Sequence, residues 1–506
     1  MIDTKLLRQK ILDLAIRGKL VPQNPADEPA SELLKKIKAE KEALVKAGKI
    51  KKDKHESFIF RGDDKRYYEQ IDGKTSDITE EIPFDIPETW EWCRIGNIIF
   101  LQAGKYIAAS EIRKNETSTY RYPCYGGNGQ RGFVKLFNSC GEYPLVGRQG
   151  ALCGNINFAA GKFYATEHAV IVKVFSGCFP QWAAIFLKAL NLNQYSTATA
   201  QPGLSVNVIN TLLIPLPPVA EQQRLISQIE TSFTEVDKID KDSADLESAL
   251  SLAKQKVLDL AIRGKLVPQN PADEPASELL KKINAEKETL VKAGKIKKVK
   301  HESFIFRGDD NCYHENIDGK SSDITGEIPF ELPQSWIWCR IGNIGTINPR
   351  NHVADDSTMV SFMPMTQLEG GYGSNYTLSE RTWQDVKTGF THIQENDVVF
   401  AKITPCFQNR KSAIMRGLKN GYGAGTTELH VIRCFFPVFP EYILWFLKNQ
   451  TFISDAVSTI QGVVGQQRID ANFIRNYLLP LPPLSEQKRI VAQVEKLLSV
   501  LETMRG

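Results

Sequence analysis

Residues 11–64 read ILDLAIRGKLVPQNPADEPASELLKKIKAEKEALVKAGKIKKDKHESFIFRGDD, and residues 257–310 read VLDLAIRGKLVPQNPADEPASELLKKINAEKETLVKAGKIKKVKHESFIFRGDD. A chain written twice is read as a repeat before anything else. The match runs on to WEWCRIGNI and WIWCRIGNI and ends near Ile98 and Ile344. A second echo stands apart from the first: IPLPPVAEQQRLISQIE from Ile214 against LPLPPLSEQKRIVAQVE from Leu479. The order is therefore repeat, variable region, second echo, and then the same again.

The variable regions, 88–213 and 334–478, share landmarks when aligned from PLPP. FPQWAAIFLK at Phe179 falls opposite FPEYILWFLK at Phe439, and ATEHAVIV at Ala165 opposite TTELHVIR at Thr426. Gln201 and Asn207 fall opposite Gln466 and Asn472. Two copies of one fold with different surfaces are expected. Each mixes strand-like runs (YPLVGR and KFYATEHAVIVKVF; DVVFAKI and LHVIRCFF) with a late amphipathic helix, which predicts an α+β class.

Val219 to Arg263 contains no proline or glycine. Apolar or small residues recur at alternating steps of four and three: Leu225, Ile229, Ser232, Val236, Ile239, Ser243, Leu246, Leu250, Ala253, Val257 and Leu260. This is a heptad seam on one helix about 65 Å long, with Gly264 placed to stop it. The second echo continues the seam at Ile490, Val494, Leu497, Leu501 and Met504. Leu7, Ile11 and Leu14 supply the missing half at the other terminus. The two terminal helices together imitate the central one cut in two. They are expected to lie antiparallel along it, with internal pseudo-two-fold symmetry and the termini near its middle.

The predicted organisation is an N-terminal spacer helix (1–18), a first repeat copy (19–87), a first variable domain (88–214) and a central spacer helix (215–264). A second repeat copy (265–333), a second variable domain (334–479) and a C-terminal spacer helix (480–506) follow. A fixed separation between two different surfaces suits a long periodic object, and DNA readers place half-sites about 34 Å or its multiples apart. The net charge is only +4, but the distribution says more. Residues 88–214 hold eleven Lys/Arg against six Asp/Glu, residues 334–479 thirteen against eleven, and the helix 219–263 six against nine. Positive charge lies in the readers and negative charge in the spacer, as phosphate contact requires.

Several chemistries are missing. No apolar run of about 18 residues predicts a membrane span, and the amphipathic start MIDTKLLRQKILDL does not read as a signal peptide. Nine cysteines without a C-x-x-C pair point to a reducing cytoplasm rather than a disulfide or zinc framework. No P-loop, H-E-x-x-H, or N-P-P-[YF] or D-P-P-[YF] motif occurs, and Asn348-Pro349-Arg350 does not substitute for the last. Gly127, Gly129 and Gly132 spell G-x-G-x-x-G, but FVKLF follows as a strand where a dinucleotide site needs a helix. Glu167-His168, and Glu428 with His430, read as fold-supporting polar residues.

The combination resembles the specificity (S) subunits of type I restriction–modification enzymes. It is carried by RGKLVPQNPADEPASELL, W-x-W-C-R-x-G-N-I, FAKITPCFQNRKSAI at Phe400, GVVGQQR over Gly462–Arg468, and PLPP-x-x-EQ-x-R. The resemblance implies two target-recognition domains, each reading half of a split, asymmetric site in double-stranded DNA. It also implies repeats that bind two methyltransferase (M) subunits, and further restriction (R) subunits. S-adenosylmethionine, ATP and Mg are expected on those partners, with no cofactor, metal or catalytic residue here. The Lys-rich segments Lys35–Lys54 and Lys281–Lys300 read as a DNA-facing stripe, a partner surface or a solvated helix face. A free-standing bipartite regulator and a coiled-coil scaffold are the rival readings.

Arg suits guanine edges, and Asn and Gln suit adenine edges, through paired hydrogen bonds. The expected DNA contacts are Asn128, Gln130, Arg131, Arg148, Gln149 and Gln201 in the first domain. In the second they are Lys402, Thr404, Gln408, Asn409, Arg410, Lys411, Gln466, Gln467 and Arg468.

Overall fold

The computed structural model describes residues 2–50, 57–150, 152–197, 202–298, 302–459 and 467–505. The chain divides into two compact units, Met1–Ser243 and Ala244–Gly506. The predicted spacer is one helix, Val219–Ile262, that runs from the first unit into the second. It ends where the sequence predicted. Gly264 takes φ +66°, and the Lys265 N–H reaches back to the Leu260 carbonyl at 2.9 Å, which is the αL stop that a Cβ would strain.

In the first unit the helix Thr4–Ile16 lies antiparallel to the start of the long helix. Arg8 pairs with Asp237 and Asp240 at 2.7 and 2.8 Å, and Gln23 bonds Glu221 at 2.5 Å. Leu225, Ile229 and Val236 are buried with Ile11, Ala15 and Ile16. In the second unit the helix Leu484–Thr503 runs antiparallel to the other half. Lys254 pairs with Glu502, Arg505 with Glu247, and Gln269 with Glu486. Two details depart from the heptad reading. The buried residues near the C-terminal end of the long helix are Leu258, Ala261 and Ile262 rather than Val257 and Leu260, because a straight helix drifts from a strict 3.5-residue repeat. Leu246 and Met504 stay exposed.

Each unit carries the same sheets in the same order. The first has the antiparallel sheet Ser57–Arg61, Tyr67–Ile71, Lys74–Asp77, and the pair Glu91–Arg94 with Leu213–Leu216. A four-stranded sheet follows the order Ile156–Ala159, Tyr143–Gly147, Ala169–Val174, Ile99–Ala103. A second follows Gly129–Val134, Tyr122–Gly126, Lys162–Ala165, Ser139–Cys140. In the second unit the counterparts are Ser412–Ile414, Val398–Ala401, Leu429–Cys434, Gly345–Ile347, and Ser379–Thr382, Met359–Met363, Tyr422–Gly425, Thr391–Gln394. The α+β class and the doubled fold follow from this strand-by-strand match.

The ladders correct one alignment. Tyr164 pairs with Cys124 and Ala424 with Phe362, while Ile99 pairs with Val174 and Gly345 with Cys434. Thr166 therefore corresponds to Thr426 and His168 to Glu428, one residue away from the match of ATEHAVIV to TTELHVIR. Glu167 and Glu428 do not occupy equivalent positions. A one-residue slip in a strand exchanges its two faces, and the shared Thr-Glu dipeptide conceals it.

The repeated motifs turn out to be clamps. The Trp90 indole donates to Glu221 at 2.9 Å, and Trp336 to Glu486 at 3.0 Å. Arg224 pairs with Asp27, and Arg489 with Asp273, both at 2.6 Å. Gln222 and Gln487 each accept from a phenylalanine N–H and donate to a proline carbonyl. Both glutamates are buried, and burial raises their carboxyl groups above the ordinary range.

Candidate nucleic-acid interface

In the first unit the hairpin of Tyr122–Gly126 and Gly129–Val134 turns at Gly127 and Asn128. The turn lies on the end of strand Tyr143–Gly147. A Cβ on Gly147 would come within 2.1 Å of the Gly127 carbonyl oxygen, so only glycine allows the approach. The G-x-G-x-x-G stretch is thus a hairpin, as its following strand implied.

This contact brings Asn128 beside Arg148 and Gln149. The Arg148 N–H donates to the His168 carbonyl at 3.0 Å, Gly150 N–H to Pro202 at 3.0 Å, and Leu204 N–H to Arg148 at 2.9 Å. Three loops therefore converge. Asn128, Gln130, Arg131 and Gln149 are exposed on or beside them, with Arg148 half-buried. Among the described residues, the buried atoms Arg148 Nε, Asn157 Nδ2, Thr166 Oγ1 and Glu167 Oε2 have no hydrogen-bond partner. Unused polar capacity is thus gathered beneath this loop junction. Asn157, Thr166 and Glu167 were not among the expected contacts, and no spacing in the sequence points to them. Gln201 lies outside the described residues.

The second unit builds the same frame with other side chains. Lys402 N–H donates to the Glu428 carbonyl at 2.9 Å, Thr404 N–H to Gln467 at 3.1 Å, and Ile469 N–H to Lys402 at 3.0 Å. Lys402 thus stands where Arg148 stands, and Thr404 where Gly150 stands. Thr404 is buried, so it contributes backbone rather than its hydroxyl to this junction. Arg468 is exposed and bonded to both oxygens of Glu428, at 2.8 and 2.9 Å. That bond holds the Glu428 carboxyl below its usual range. A cavity of about 260 Å³ opens beside Lys402, lined also by Asn348, Pro349, Arg350, His392 and Thr427. Gln466 lies outside the described residues.

Gln408 and Asn409 are exposed at the end of the helix Thr404–Gln408. The next two expected contacts are engaged by the chain itself. Arg410 donates to the Lys448 carbonyl at 3.1 Å and to Gln450 at 2.5 Å, and sits 5.1 Å over the Tyr372 ring. Lys411 donates to the Met365 carbonyl at 3.2 Å.

The acid–histidine pairs do not form a catalytic or metal arrangement among the described residues. His430 is buried between Asn348 and the Ile469 carbonyl, and burial holds its imidazole below the usual range. His168 lies 3.3 Å from Glu167, and no group of three metal-ligating side chains occurs among the described residues. Much of the Lys-rich helix charge is answered locally. Lys35 pairs with Glu32, Lys36 with Glu28, and Lys281 and Lys282 repeat this with Glu278 and Glu274. The loop lysines 51, 52 and 54 lie outside the described residues. No helix among the described residues is long and apolar enough to cross a membrane.

Residues 87–246 match the family described as type I restriction modification DNA specificity domain. The chain is similar to the specificity subunit of type I restriction enzyme EcoAI from Escherichia coli, 43% identical over 252 residues, which are 50% of this chain and 40% of that protein. It is 44% identical over 255 residues to the EcoEI specificity subunit, also from Escherichia coli, over 50% of this chain and 39% of that one. The aligned part is thus about two fifths of the length of these relatives. In fold it is similar to a chain from a solved structure described as the structural basis underlying complex assembly and conformational transition of the type I R-M system. That match has a TM-score of 0.52 and 15% identity, over 84% of this chain and 93% of that one.

Proposed function

We propose that this chain, whose residues 87–246 match the type I restriction modification DNA specificity domain, is the DNA-recognition subunit of such a complex. Its two recognition domains, 88–214 and 334–479, read different halves of an asymmetric double-stranded site. The repeat copies, 19–87 and 265–333, dock two methyltransferase subunits, and restriction subunits join that assembly in the cytoplasm. The chain has no catalysis of its own, and S-adenosylmethionine, ATP and Mg belong to the partners.

The observation that carries the reading is a frame used twice with different contents. Arg148–Gly150 is laced to Pro202–Leu204, and Lys402–Thr404 to Gln467–Ile469, by the same backbone hydrogen bonds. Identical scaffolds that present different guanidinium, ammonium and amide groups suit two different base sequences. The test exchanges residues 99–213 for those of a relative and sequences modified bases in cells that carry the complex. One half-site changes and the other stays. If both change, or neither does, the modular reading fails. Methyl transfer to DNA by the purified chain alone, with S-adenosylmethionine, would also overturn the assignment.

A further inference from the structure

The hairpin that turns at Gly127 and Asn128 has a far end, where Tyr122 pairs with Val134. Tyr122 to Gly126 spans about 13 Å, at roughly 3.3 Å per residue. Arg113 joins this far end through paired backbone bonds with Phe133, at 3.0 and 2.8 Å. Cations and rings collect here. The Arg113 guanidinium lies 5.3 Å and the Lys135 ammonium 5.1 Å from the centre of the Tyr120 ring. Arg121 lies 5.1 Å over Tyr122, and Lys162 5.0 Å over Phe137. The Tyr122 and Phe137 rings meet edge to face at 5.1 Å. Arg113, Arg121, Lys135 and Lys162 are exposed, and none of the four pairs with a carboxylate among the described residues.

Three observations choose the occupant. Residues 105–142 hold six Lys/Arg against three Asp/Glu, and Lys162 adds a further cation. Of those carboxylates Glu111 and Glu116 are exposed, and Glu142 bonds Gln181 at 2.8 Å. The second unit does not repeat this balance. Its matching stretch, 348–394, holds three Lys/Arg against five Asp/Glu, and Lys387 pairs there with Asp356. A surface present once does not suit a partner that binds twice. The rings also carry the chain's own cations, so they are not free platforms for unpaired bases. They hold long side chains in place, which lowers the ordering cost of meeting an anion. An occupant that reaches from these cations to Asn128 presents a row of negative charges along the hairpin. Duplex DNA does so, with a phosphate about every 3.4 Å on each strand.

We propose that Arg113, Arg121 and Lys135 bind the phosphodiester backbone of duplex DNA about four base pairs from the bases that the rim reads. The first domain is then the salt-sensitive anchor of the chain, and the second domain has no equivalent. The inference rests on the recognition-subunit reading and adds a sequence-independent contact to it. The test uses the full complex and two duplexes of equal length, one with the site located by modified-base sequencing and one unrelated. Fluorescence anisotropy across a potassium chloride series gives affinity and salt slope. Arg113→Gln with Arg121→Gln and Lys135→Gln weakens binding of both duplexes about tenfold or more and lowers the salt slope by about 2–3. The ratio between the duplexes stays as it was. Lys387→Gln with Lys419→Gln, whose ammonium groups pair with Asp356 and Glu380, leaves the slope unchanged. The proposal is overturned if the triple variant, with unchanged circular dichroism, keeps the wild-type slope. It is equally overturned if only the site duplex is weakened, which would make the patch a base reader. Loss of a methyltransferase copy from the variant in native mass spectrometry would overturn it too, as a protein surface. A wild-type complex that binds both duplexes equally tells instead against the recognition-subunit reading, and a lowered slope in the variant would still uphold the backbone contact.

Discussion

Arg468 grips Glu428 through both carboxylate oxygens, at 2.8 and 2.9 Å, on the rim where Lys402 also stands. Glu428→Gln removes a negative charge beside two cations. DNA binding by the complex strengthens several-fold at low salt, with a steeper salt dependence. Fluorescence anisotropy across a potassium chloride series measures both, and an unchanged slope would remove this rim from the DNA surface.

Arg148 and Arg410 separate into different roles. Arg148 has an unpartnered Nε at a loop junction, so Arg148→Ala costs about 1–3 kcal/mol of specific binding, relaxes one base position and leaves the fold intact. Arg410 is bound to Lys448, Gln450 and Tyr372, so Arg410→Ala costs about 1–3 kcal/mol of stability instead. Thermal melts and base-by-base competition distinguish the two, and the opposite pattern would reverse the assignment.

The indole–carboxylate clamps are a stability element. Trp336→Phe leaves one oxygen of the fully buried Glu486 without its donor and destabilises by about 1–3 kcal/mol. Burial already raises this carboxyl, and losing the donor raises it further. A folded-state value above the unfolded one favours the folded state as pH falls. The deficit therefore narrows towards pH 5 in urea titrations. A deficit that widens there would show that Glu486 is not the group involved.

Lys448 is fully buried, with its ammonium on the carbonyls of Gly371 and Arg410 at 2.6 and 3.2 Å. Burial, with the nearby Arg410 charge, pushes its pKa down to about 7. Above that value the folded state releases a proton that the unfolded chain keeps, so stability rises with pH from about 7 to 10. Relative to Lys448→Met, the wild-type chain gains on the order of a few kcal/mol across this window. A difference in Tm that stays flat between pH 7 and 10 would contradict the buried charge.

What was legible in the sequence was what repeats. The heptad spacing of Leu225, Ile229 and Val236 and the doubled Trp, Glu and Arg motifs are patterns that local geometry obeys wherever they occur. Strand register is different. Thr166 and Thr426 correspond through hydrogen bonds to strands some forty and sixty residues earlier in the chain, and no local spacing encodes that. The candidate DNA rim was half legible for the same reason. Asn128 and Arg148 stood out by residue type, but their meeting depends on Gly127 touching Gly147. Whether Arg410 faces outward or back onto Lys448 depends on a helix that begins forty residues later.

The long helix also sets an order of events. Arg8 waits for Asp237, 229 positions later, before its helix has a companion, and Lys254 waits for Glu502 across 248 positions. Contacts this remote are slow to close. During synthesis, however, every residue of the first unit has left the ribosome before most of the second exists, and domains fold as they emerge. The nascent chain thus passes through a stage with one finished half and a bare helix end carrying Leu258, Ala261 and Ile262, and those side chains stay uncovered until the second unit that packs on them is made.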